Sequence, residues 1–200
     1  MSTISRHVSP PPRDWTPSRL AKLSIEQYEA MVESGVLGAG ARLQLINGFL
    51  VAKETKKPSH GYATESTREV LRRILPTGWS VRSELPVRLP PLSEPEPDVS
   101  VARGNPKDYA TRHPGPEDLA LVVEVAAGSL RQDRKLAVTY GSSGIPTSWI
   151  INLRGPWVEV YSDPTSAGYG SRRDYKPGEK IAVVIDGSVV GQIGVDGLFP

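Results

Sequence analysis

The chain has 200 residues, 38% of them hydrophobic, which suits one α/β or α+β domain and leaves no material for a second full core. It has no cysteine, which excludes a disulfide framework, a cysteine-ligated iron–sulfur or zinc site and a thiol nucleophile, so any metal must sit on oxygen or imidazole. Its 24 basic and 22 acidic residues leave a formal charge of +2, too even to point to nucleic acid by itself, and no run approaches the roughly 18 apolar residues of a membrane span.

The N-terminal stretch carries Pro10, Pro11, Pro12 and Pro17 with little aliphatic content. Burial there cannot offset ordering entropy, so residues 1–19 read as a disordered tail and 20–200 as the folded domain. The tail lacks the apolar core of a secretory signal, and the expectation is a cytoplasmic protein. Ser24 with Gln27 forms a capping box that opens a helix through Ile25, Tyr28 and Met31 to about Gly35. Asn47-Gly48 then turns a hairpin between residues 42–46 and 49–51. Ser59 reads as the cap of a longer helix to Leu75, with Ala63, Val70, Leu71 and Ile74 as its apolar stripe; Pro76 and Gly78 end it.

Short strands follow at 80–82 and 87–89, and a third at 99–102 after Pro95-Glu96-Pro97-Asp98; residues 103–118 read as loop. The run LALVVEV over 119–125 is the strongest core signal, a strand buried on both faces. A short helix at 130–140 is ended by Gly141 and Gly144. Residues 147–152 and 157–161 pair across Arg154-Gly155-Pro156, and 181–185 pairs with 188–193 through Asp186-Gly187. The mixture of strands, helices and hairpins is that of an α+β fold.

A carboxylate inside an apolar strand is costly unless it is paired, so Glu124 needs an explanation. It reads either as a buried Glu held by an arginine or as a ligand. Asp98 reads either as a turn residue after Pro97 or as a partner of Glu124 across neighbouring strands. Their order suggests the second: an Asp at one strand's start, a Glu in the next apolar strand and Lys135 soon after would bring two carboxylates and an ammonium together. Two carboxylates suit a hard ion such as Mg²⁺ or Mn²⁺.

Pro97-Asp98, Val122-Val123-Glu124-Val125 and Asp133-Arg134-Lys135 together resemble the Uma-type restriction endonuclease family, a branch of the PD-(D/E)XK nuclease superfamily. The likeness runs from about Leu23 to Pro200 and includes Leu45-Ile46-Asn47-Gly48, His60, Gly144-Ile145-Pro146 and Val158-Glu159-Val160-Tyr161. It implies a restriction-endonuclease-like mixed β-sheet flanked by helices, a Mg²⁺- or Mn²⁺-dependent endonuclease acting on DNA, and a homodimer. Asp98 and Glu124 are the implied metal ligands and Lys135 the implied catalytic lysine. His60 matches a family histidine of the cleft, although alone it reads as a surface residue at a helix start.

Two departures point the other way, toward a catalytically impaired nuclease-fold module for binding or assembly. Gln44 stands where family members carry Glu, while Glu84 stands where a Gln is common. The helix after Glu124 is one residue short between Asp133 and Tyr140, which moves Lys135 out of the usual register. If Leu136 and Tyr140 set the buried face, Lys135 is about 100° from the family position, a displacement its flexible side chain can absorb to reach Glu124. Lys53, Lys56, Lys57, Arg131, Arg134 and Arg154 are either phosphate contacts or a solvated charged face. Trp149, Trp157 and Tyr161 are candidates for an exposed aromatic patch between subunits.

Overall fold

In a computed structural model, which describes residues 20–38, 40–53 and 55–200, helix α1 (Ile25–Glu33) starts at the reciprocal box between Ser24 and Gln27. Its buried Ile25 and Tyr28 pack with Leu45 against the hairpin β1 (Leu43–Ile46) and β2 (Phe49–Ala52). That hairpin turns at Asn47 and Gly48, both with positive φ, as a tight turn of this sequence requires. The tail expected over residues 1–19 lies outside the described residues.

Helix α2 (Pro58–Ile74) begins two residues earlier than a cap at Ser59 implies. Pro58 takes the first helical position, where a missing N–H does no harm, and Lys57 rather than Ser59 stands at the cap. Strands β3 (Trp79–Ser83), β4 (Val99–Arg103), β5 (Leu119–Ala126), β6 (Thr147–Asn152), β7 (Trp157–Thr165) and β8 (Gly168–Tyr175) form one six-stranded sheet in that order. Every neighbouring pair is antiparallel except β5–β6, which α3 (Leu130–Ser142) joins by a crossover. The strand expected at 87–89 is only an isolated bridge between Leu89 and Ser93, because the prolines around it interrupt a ladder. The hairpin β9 (Lys180–Ile185) and β10 (Ser188–Gly194) turns at Asp186-Gly187.

All eight residues of β5 are buried, so both sheet faces are covered. Val123 and Val125 face a core that includes Leu71 of α2 and Ile181 and Ile193 of the last hairpin; Val122 faces Leu136 and Tyr140 of α3. Strand alternation sends Glu124 to the α3 side with Val122. Trp149 is 1% exposed and belongs to the first core, which corrects its reading as a surface aromatic: β6 is an interior strand, so its side chains are covered on both faces. None of the described helices is long and apolar enough to cross a membrane.

Candidate functional site

Strands β4 and β5 run antiparallel with Val99 opposite Val123, and one further step of that register brings Asp98 opposite Glu124. Directly opposed residues on neighbouring strands stand about 5 Å apart at Cβ. Both carboxyl groups are buried on the wall of one cleft of about 1080 Å³ that opens between the β1–β2 hairpin, the start of α2 and the N-terminal half of α3.

The pKa values of the two acids are pushed in opposite directions. Burial works against an Asp98 charge, yet hydrogen bonding and charge from His60, then Lys56 and the Val125 amide, bring its pKa below the usual carboxylate range. The distances are 3.1 Å from His60 Nε2 to Oδ2, 3.0 Å from Lys56 Nζ to Oδ1 and 2.8 Å from Val125 N to Oδ2. Burial pushes Glu124 well above the usual range, and the charges of Asp98 and Asp133 push the same way. The Tyr140 hydroxyl, donating to Oε1 at 2.6 Å, opposes that shift without reversing it. A pair of adjacent acids driven apart in this way is what a cation-binding or acid–base site produces.

Lys56 reaches the site from the segment between β2 and α2. Its ammonium lies 2.6 Å from Glu84 Oε1 as well as 3.0 Å from Asp98, and although burial lowers its pKa, those two carboxylates more than compensate and keep it protonated. Glu84 follows β3 with φ of 54°, a left-handed conformation uncommon for a residue with a Cβ, and its amide donates to the Asp98 carbonyl at 3.2 Å. Gln44 lines the cleft and accepts the Glu96 amide at 3.0 Å, pinning the chain two residues before Asp98. Lys53 lines it too and is ion-paired with Glu96.

Thus Gln44, His60, Glu84, Asp98 and Glu124 come together around one cleft, and Lys135 does not. Lys135 is exposed, while its neighbours Leu136 and Ala137 are buried with Tyr140. One residue is about 100° of helix, and burying the apolar stripe turns Lys135 to solvent, so the expectation that its ammonium points beside Glu124 is corrected. Lys56, which the sequence offered only as one of several basic residues, is the amine beside the carboxylates. Tyr140, read as a core anchor, carries a hydroxyl that serves Glu124. Arg131, Arg134 and Arg154 line a separate hollow with Trp157.

Arg134 is engaged by Glu159, a carboxylate with no exposure, which also accepts from Arg172 and, at 2.6 Å, from the Tyr161 hydroxyl. Glu159 is therefore the arginine-paired structural acid, and Glu124, whose neighbours are carboxylates and a phenol, is not. No group of three His, Asp, Glu or Cys side chains among the described residues is arranged to hold a metal, and the acids that the cleft could offer a cation side by side are the pair Asp98 and Glu124. Such a pair fits a hard divalent ion, which keeps several waters and takes one or two carboxylates, and a cation would offset the burial and like charge that raise the Glu124 pKa.

Fold and site define a restriction-endonuclease-like α+β domain. The model of the Uma2 family, described as putative restriction endonuclease, matches residues 25–186, and the chain belongs to that family. A crystal structure of a putative nuclease belonging to DUF820 from Anabaena variabilis is similar in fold, with a TM-score of 0.69 and 15% sequence identity over 88% of this chain and 97% of that one. No curated protein matches the chain.

Proposed function

We propose that this protein is a Mg²⁺- or Mn²⁺-dependent endonuclease that hydrolyses phosphodiester bonds in DNA, with Asp98 and Glu124 holding the ion. The observation that carries this reading is the buried carboxylate pair on neighbouring strands, with pKa values pushed in opposite directions, on the wall of a cleft of about 1080 Å³ that Lys53 and Lys56 also line. Family membership supports it. When bound, such an ion supplies charge neutralisation at the phosphate and an activated water.

The remaining work falls to the chain. His60 and the Val125 amide fix Asp98 Oδ2 and leave Oδ1 to Lys56. Glu124 would hold a cation through its carboxylate form, so a bound cation would favour loss of its proton. Lys53 and Lys56 are cationic groups of the cleft for a phosphate.

A second reading, a nuclease-fold binding or assembly module without chemistry, is favoured by the exposed Lys135 and by the commitment of the Gln44 amide to Glu96. Incubation of the full chain with linear, supercoiled and single-stranded DNA and Mg²⁺ or Mn²⁺ separates the two. Metal-dependent cleavage that Asp98→Ala reduces at least about a hundredfold and Lys135→Ala leaves within a fewfold is the expected result; DNA binding with no cleavage of any form establishes the module instead. The same proposal includes a cytoplasmic homodimer, supported by the family likeness and by the place of β3 and β8 as the outer strands of the six-stranded sheet. Light scattering at micromolar concentration returns about twice the chain mass if it holds, and a monomer overturns it.

A further inference from the structure

The ammonium of Lys56 sits between two carboxylates of unequal depth. The Asp98 side chain is 10% exposed and the Glu84 side chain 50%, with Lys56 at 37% between them. Among the described residues, Asp98 Oδ1 is contacted by Lys56, whereas Oδ2 is taken by His60 and the Val125 amide. The oxygen left for a cation is therefore the one that the lysine occupies.

We propose that Lys56 is a resident cation which a divalent ion must displace from Asp98, and that Glu84 is the acceptor that keeps the displaced ammonium within the cleft. The inference rests on the metal-binding reading of Asp98 and Glu124. A lysine has four rotatable side-chain bonds and three donors, so it can leave Asp98 while keeping the 2.6 Å contact to Glu84. If it stayed, a divalent ion on the same oxygen would face a like charge at close range in a partly desolvated cleft. Exchange removes that repulsion without stranding either charge.

The backbone of Glu84 supports this role. A left-handed φ at a glutamate persists only where surrounding structure determines it, and here the Glu84 amide is tied to the Asp98 carbonyl. That tie holds the Glu84 backbone against that of Asp98, and the Glu84 carboxylate is the more exposed of the two. Lys56 itself lies in the segment leading to α2 and outside any ladder, which leaves its side chain able to move.

The arrangement makes metal affinity depend on two residues that are not ligands, with opposite signs. Calorimetric titration of Mn²⁺ into the full chain is the test. Lys56→Met binds Mn²⁺ about tenfold more tightly than the wild type, because the competitor is gone. Glu84→Gln binds about threefold or more weakly, because the lysine then rests on Asp98 alone. In the Lys56→Met background, Glu84→Gln changes affinity by less than about twofold, since its effect acts through the lysine.

Equal or weaker binding by Lys56→Met overturns the inference while the metal site stands. An equal loss on Glu84→Gln in both backgrounds reduces Glu84 to a plain surface charge and overturns its role as acceptor. No Mn²⁺ binding by any of the four proteins overturns the metal-binding reading itself, and this inference with it.

Discussion

The Tyr140 hydroxyl donates to Glu124 Oε1 at 2.6 Å, joining α3 to β5 through two buried side chains. It is a neutral donor serving an acid that the charges of Asp98 and Asp133 also oppress. Burial of Glu124 is thus unfavourable to the folded state. Glu124→Gln is expected to raise the thermal midpoint in the presence of a chelator by a few degrees, about 1 kcal/mol for a chain of this size. Tyr140→Phe is expected to lower it by a similar amount through the lost hydrogen bond. Thermal unfolding followed by circular dichroism checks both, and a strongly destabilised Glu124→Gln would show that the acid serves the fold.

Glu94 supplies a pH dependence. Burial, then the charge and hydrogen bond of Glu29, push its pKa from 4.5 up to about 8. Between those values the folded protein holds a proton that the unfolded chain releases. The associated stability is complete below 4.5 and is lost as pH rises toward 8, by at most roughly 1.4 kcal/mol per pH unit. Glu94→Gln is expected to flatten this slope and to be the more stable protein at pH 8. Urea unfolding of both proteins at pH 5, 6.5 and 8 measures it; parallel curves contradict the assignment.

Glu159 behaves in the opposite sense. Burial raises its pKa, but hydrogen bonds from Arg134, Tyr161 and Trp157 overcome that and hold it below 4.5. Its contribution is present above the unfolded value and lost as pH falls through the lower folded value. Arg134→Ala is expected to cost about 3 kcal/mol at pH 7, because it strips a fully buried carboxylate of its two-pronged partner. The gap to the wild type should narrow below pH 4.5, where the unfolded-state carboxyl begins to take up its proton.

Two glycines in helices are expected to respond with opposite signs. A Cβ on Gly141 would lie 2.5 Å from the carbonyl carbon of Gly168, so α3 packs against the β7–β8 hairpin through bare backbone. Gly141→Ala should cost about 1–3 kcal/mol. At Gly61, in α2, no described atom stands within 4 Å of the same position, and Gly61→Ala should add about 0.5–1 kcal/mol. Denaturant midpoints decide both.

Local chemistry made much of this architecture legible. The Ser24–Gln27 box, the Asn47-Gly48 and Asp186-Gly187 turns and the apolar run of β5 each act within a few residues, and each forms the element it encodes. Strand β8 left no such trace, because GYGSRRDY is polar and held by its ladder with β7. Gly141 reads as a stop signal yet lies inside α3, since its missing side chain answers to the contact with Gly168 rather than to chain termination. Asp98 and Glu124 could be picked out by their order along two strands. Lys56 could not be singled out, because its position follows from how the segment before α2 crosses the end of β4, a tertiary relationship with no periodicity.

The Val125 amide has a use beyond structure. Its N–H points to Asp98 Oδ2 at 2.8 Å, and the Leu153 amide meanwhile donates to the Ala126 carbonyl one residue on, at 3.0 Å. A single backbone resonance, visible by nitrogen-15 labelling without any tag in the cleft, therefore reports on the electron density of the Asp98 carboxylate. Its chemical shift is a built-in meter: it should move when an ion meets Asp98 and stay still when one binds elsewhere on the surface.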